Sequence, residues 1–131
     1  MSSNFNKVKQ YLLDLDYDIV FEDKKEEVLV IKNESAGIVN MVLGCADPIL
    51  IMEQYLVHLK QPTDVIYADL LQKNREIIHG AFVLDDTGTK VIFRDTLQLE
   101  NLDANELAGS LNSLSVLLSE YSHKLIQFSK N

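Results

Sequence analysis

One helical stripe near the end of the chain limits the fold more than any other feature. Leu107, Leu111, Leu114, Leu118, Tyr121, Leu125 and Phe128 recur at alternating steps of four and three, which puts all seven on one side of an α-helix. Asp103 stands where an N-cap is wanted, and Glu106 follows at capping-box spacing. Roughly 26 residues at 1.5 Å each give a rod of about 39 Å, long for a chain of 131 residues. Its first turns hold Ala108, Gly109, Ser110, Ser113 and Ser115, small side chains that let another element approach closely. The flanking positions carry no regular charge code, so the pattern favours a helix laid on a sheet over a coiled coil.

The stretch before the helix reads as a β-hairpin, IIHGAFVLDD and TKVIFRDTL joined at Thr87-Gly88. Earlier, Phe5, Val8, Leu12 and Leu15 mark a first helix, capped by Ser2 or Ser3. Strands are expected over 17–22, 28–32, 38–45 and 49–58, separated by DKKEE, NESAG and Ala46-Asp47-Pro48. Val39, Met41, Leu43 and Cys45 are expected to share one face of the third strand, opposite Asn40 and Gly44. Pro62 and Thr63 open a second helix that runs to Lys73 and Arg75, acid first and base last. The order α-ββββ-α-ββ-α with short connections predicts a single α+β domain over 1–131. Its core is a twisted antiparallel sheet with flanking helices.

One strand bears on assembly. Ile49, Ile51, Tyr55 and Val57 alternate with Leu50, Met52 and Leu56, and Val91 and Phe93 flank Ile92 on the hairpin. A half-solvated antiparallel sheet is polar on one face. A sheet apolar on both needs a second cover, either from the three helices or from a partner subunit.

Charge narrows the partners. The chain has 12 basic and 20 acidic residues, a net charge of −8. Residues 1–60 and 61–131 each hold six basic and ten acidic, so the whole molecule is acidic. Nucleic acid and anionic membrane surfaces both want a Lys/Arg patch and are disfavoured. The N-terminal MSSNFNKVKQYLLDLDYD lacks the apolar core of a signal peptide, and no run approaches the 18 apolar residues of a membrane span. The lone Cys45 suits a reducing compartment, and a cytoplasmic location is expected.

No motif carries chemistry. Asp86-Thr87-Gly88 matches the aspartic-protease triplet, but that chemistry needs two carboxylates sharing a proton, and here the three residues sit where a hairpin turns. Asp14, Asp16 and Asp18 lack the glycine and glutamate of a calcium loop, those places holding Ile19 and Lys25. His58, His79 and His123 have no His or Cys at metal-ligand spacing. Cys45 has no partner that marks a nucleophile and reads as a small apolar residue. No phosphate loop or dinucleotide fingerprint is present, so no cofactor and no enzymatic activity are expected.

Three stretches together resemble the YbjN family and the class I type III secretion chaperones (Tir-chaperone-like). They are LLQKNREIIHGAFVLDDTGTKVIFRDTL, ADPILIMEQYLV and ANELAGSLNSLSVLLSEYSHKL. The matching features are Leu70, Leu71 and Asn74 at a helix end, the Gly80–Asp85 strand and the long last helix. The resemblance implies small acidic subunits, often homodimers. For the chaperones it implies binding an extended client segment across apolar patches; for YbjN-type proteins, a regulatory or chaperone-like role. The two-sided apolar strands offer Val91 and Phe93 as interface candidates, the second helix adds Ile66, Tyr67 and Leu70, and the resemblance suggests this region for the dimer contact.

The leading functional expectation is a non-enzymatic, chaperone-like or regulatory binding protein, working as a homodimer on a client or regulatory protein. The alternative is a small-ligand sensor with a pocket near Glu53, Gln54 and Tyr55. A third reading is an enzyme using scattered carboxylates.

Overall fold

Among the described residues three α-helices and six strands follow one another as α1 (Ser3–Asp14), β1 (Asp18–Asp23), β2 (Val28–Asn33), β3 (Ile38–Ala46), β4 (Ile49–His58), α2 (Asp64–Asn74), β5 (Ala81–Leu84), β6 (Lys90–Gln98) and α3 (Ala104–Lys130). A computed structural model describes residues 3–130. The expected cap at Ser2 lies outside the described residues, and Ser3 is described in its backbone alone. Asp103 caps α3, its carboxylate accepting from the Glu106 N–H at 2.8 Å. Thr63 caps α2 by accepting from the Ile66 N–H. Both ends satisfy amides that a helix leaves without intrahelical partners.

The strands form one antiparallel sheet in the order β1-β2-β3-β4-β6-β5. Pairing fixes two faces. On the inner face lie Leu29, Leu43 and Met52 in one row, and Gln54, Phe93 and Phe82 in another. All six are buried, as are Ile31, Met41, Leu50 and Val91. Phe5, Val8 and Leu12 of α1 and Leu107, Leu111, Leu114 and Leu117 of α3 close over this face and complete the core. Ser110 draws α3 in: it is fully buried, donates to Asp95 Oδ2 at 2.6 Å and touches Met52 Sδ. Two expected stripe members, Leu118 and Tyr121, are only half-buried, and Leu117, just before Leu118, takes a core place.

The third strand departs from strict alternation. Register shifts between β2 and β3, where Ile31 pairs with Met41 but Lys32 pairs with Val39. Asn40, at φ 54°, is the extra residue, a conformation Asn tolerates better than most side chains. The bulge changes the phase, so Ile38 and Met41 both point inward and Val39 is exposed. Val39 therefore does not share the Met41 face as expected from the sequence. Gln54 stitches the site, its amide N–H donating to Gly37 O and its carbonyl accepting from Val39 N–H.

Candidate interaction surfaces

Among the described residues no helix covers the outer face of the sheet. Its central row runs Phe21, Val30, Val42, Glu53, Arg94, Ala81, with Ile51 beside it and Tyr55, Ile92 and Val83 in a further row. None of these is buried, whereas every buried strand residue among those described faces the helices. Phe21 is 55% exposed, Val42 43% and Tyr55 54%. The second cover that the two-sided apolar strands call for is thus not supplied by the described residues. The polar interruption is the Glu53–Arg94 ion pair, paired across β4 and β6.

The two sheet edges differ. At β5 the Asn74 side chain donates to Phe82 O at 3.1 Å and accepts from Phe82 N–H at 2.7 Å. That amide occupies the groups another strand would use, which closes the edge. At β1 the edge is uncovered by any strand and kinked by the register shift at Val20.

The five interface candidates lie at the α2–β5 corner. Val91 and Phe93 are fully buried beneath the helices, and Ile66 and Leu70 are the inward residues of α2. Tyr67 is half-buried and donates its hydroxyl to Gly88 O at 2.8 Å. Side chains not among the interface candidates are exposed at this corner: Val65 at 70%, Leu71 at 71% and Leu84 at 40%. A clean moment along α2 would have separated the stripes, but apolar residues lie all round the helix.

Glu53, Gln54 and Tyr55 do not converge. Glu53 points out to Arg94, and Gln54 is buried with both ends of its amide engaged. Gln54 and Tyr55 border a surface groove with Val39, Leu118 and Ile126, and Glu53 is no part of it.

The motifs with a chemical look are built into turns. Asp85, not Asp86, organises the hairpin, its carboxylate accepting from the N–H groups of Lys90 and Thr89 and from the Thr87 hydroxyl. These bonds, the Lys90 amide foremost, hold its carboxyl below the ordinary range. Asp86 is exposed beside it. Asp14, Asp16 and Asp18 span the α1–β1 connection, with Asp16 at φ 67° where the helix ends. His58, His79 and His123 are scattered and exposed. Among the described residues no group of three or more His, Cys, Asp or Glu could hold a metal ion. No helix there is long and apolar enough to cross a membrane.

Cys45 is half-buried, and burial, helped by the Glu27 carboxylate, pushes its thiol up to about 11. The thiolate is the reactive form. At pH 8 iodoacetamide should therefore modify Cys45 on the order of a hundredfold more slowly than an unperturbed thiol. A rate equal to that of free cysteine would show that the β2–β3 end opens readily.

This sheet, with one face under helices and one face bare, matches known proteins over its whole length. The CesT_Tir_1 family model matches residues 1–131. The chain belongs to the CesT_Tir_1 family. No curated protein matches it in sequence. Solved structures share the family's fold. YbjN from E. coli superposes with a TM-score of 0.68 at 19% identity, covering 92% of this chain and 93% of that one. A chain of the ExsC–ExsE complex gives 0.69 at 15% identity, covering 95% and 97%. The HopA1–SchA chaperone–effector complex gives 0.63 at 16% identity, covering 94% of each.

Proposed function

We propose that the chain is a non-enzymatic, chaperone-like protein that holds an extended apolar stretch of a client against the bare face of its sheet, in the cytoplasm. The carrying observation is that face, with Phe21 and Val42 exposed in one row on β1 and β3, Val30 between them, and Tyr55 exposed on β4 in a further row. Contiguous exposed apolar surface of this kind marks interaction sites. The solved complexes of the same fold, one of them a chaperone with its effector, support the reading. A reduced, carbamidomethylated ribonuclease is a suitable unfolded probe. Fluorescence anisotropy should give saturable binding at roughly 1–10 µM, weakened about tenfold or more by Val42→Glu or Tyr55→Glu. Both positions are exposed, so thermal unfolding should barely move. Undiminished binding by both variants would sink the proposal.

The same reading includes a homodimer, formed through the α2–β5 corner. Leu71 and Leu84, both exposed, line an apolar surface there with Tyr67 and Leu70, and closed two-fold pairs are the commonest solution for such a patch. A stable pair would bury about 1,200–2,000 Å² in total. Light scattering behind a sizing column should report twice the 14.9 kDa chain mass at tens of micromolar. Leu71→Glu should shift the mass towards one chain. Tyr67→Glu is the poorer probe, because it also removes the hydrogen bond to Gly88. A wild-type mass of one chain rules the dimer out, and an unshifted Leu71→Glu moves the contact elsewhere.

A further inference from the structure

A second concave surface lies away from the bare face, between the connection from α2 to β5 (residues 75–80) and one line of α3. It is a groove of about 300 Å³. Its floor holds Leu117, buried, and Ile77, packed on the core. Its rims carry Ile78, which at 86% is the most exposed large apolar side chain of those described, and Val116, at 57%. An apolar side chain so exposed at a fixed point of the backbone marks a contact better than scattered surface residues do.

The groove is held open. Ser113 donates its hydroxyl to His79 O at 2.7 Å and accepts from His79 N–H at 3.3 Å, tying the connection to α3. The His79 ring lies beside Gly109, one turn before Ser113, where a Cβ would meet it at the distance of an ordinary van der Waals contact. At the other end the surface is acidic. Lys73, mostly covered, lies 3.9 Å from Glu76 and 3.8 Å from Glu120. One ammonium thus serves two largely exposed carboxylates, leaving a charge of −1 at that end.

We propose that this groove docks a basic amphipathic helix of a partner protein. The partner's apolar stripe would sit on Ile78 and Val116, and its cationic end would face Glu76 and Glu120. Three observations select that occupant. An extended segment would find no strand edge here, because the His79 N–H and C=O are already engaged by Ser113, whereas a helix satisfies its own backbone. The line Gly109, Ser113, Val116, Glu120 runs along α3 at steps of four, three and four, the spacing that receives another helix. A second copy of this chain carries −8 and would meet the carboxylates with like charge. The proposal does not rest on the bare sheet face and stands or falls apart from it.

The test uses two designed, labelled helical peptides with one leucine stripe each, flanked by lysines in one and glutamates in the other. With the full chain, the lysine peptide should bind saturably at roughly 10–100 µM and move amide NMR signals of residues 76–79 and 112–120. The glutamate peptide should be at least about tenfold weaker, and Ile78→Asp should weaken the lysine peptide by about tenfold or more. The double variant Glu76→Lys, Glu120→Lys should reverse the preference. All three positions are exposed, and an unchanged unfolding temperature confirms that each variant folds. Four results would each overturn the proposal: no saturation below about 1 mM, equal affinity for the two peptides, indifference to Ile78→Asp, or NMR shifts confined to the outer sheet face.

Discussion

Gly80→Ala is expected to cost about 2–5 kcal/mol of folding free energy, summing left-handed backbone strain of roughly 1–2 and overpacking of roughly 1–3. Gly80 sits at φ 85°, a region L side chains rarely adopt. A Cβ there would stand 2.4 Å from Phe93 Cζ and 3.1 Å from Arg94 O. The ring cannot retreat, because Phe93 is fully buried on the inner face between Gln54 and Phe82. Thermal unfolding should fall by roughly 10 °C. Gly44→Ala is the control: nothing lies within 4 Å of its would-be Cβ and its φ is ordinary, so it should change stability by no more than about 1 kcal/mol. Equal unfolding temperatures for the two variants would mean that the Phe93 ring does not pack over Gly80.

The same glycine shows which parts of the fold were legible. Gly80–Asp85 belongs to the strand motif that carried the family resemblance, and its meaning is steric: the chain can enter β5 beneath Phe93 only without a side chain. The α3 helix was legible because its signals are local, a cap at Asp103 and a repeated apolar stripe. Most of the stripe, including Leu125 and Phe128 at its far end, is buried as read, while Leu117 enters the core and Leu118 stays half-buried.

What escaped the sequence depended on partners far along the chain. Val39 was assigned to the Met41 face because alternation is the default in a strand, and nothing local marks the bulge at Asn40. The device that holds it is Gln54, fourteen residues beyond Asn40 on the next strand. In the sequence a polar residue in an apolar strand resembles pocket lining, so Glu53, Gln54 and Tyr55 were grouped as neighbours in number. Consecutive strand residues point to opposite faces, and the structure separates them accordingly. At the α2–β5 corner the expected residues Ile66, Leu70, Val91 and Phe93 were selected for being apolar, which is also what the core selects. The exposed residues Val65, Leu71 and Leu84 become distinguishable only once Asn74 fixes α2 against Phe82.

Leu114→Ala is expected to cost about 2–5 kcal/mol, lost transfer energy plus a cavity, because Leu114 is fully buried where α3 crosses the sheet. Val116→Ala, two residues on but exposed, should stay within about 0.5 kcal/mol. Urea unfolding of the two variants checks the difference. A cost for Leu114→Ala below about 0.5 kcal/mol would show that the stripe does not face the core. The pair also tests whether the bare face is preformed. Leu114 packs on one side of the sheet, and Val42 and Tyr55 stand on the other, held in register by backbone pairing with β2, β4 and β6. Below its unfolding temperature, Leu114→Ala should therefore bind the unfolded ribonuclease probe within about twofold of the parent affinity while unfolding at much lower urea. If affinity fell in step with stability, the outer face would depend on α3, and the sheet could not be a rigid platform for a client.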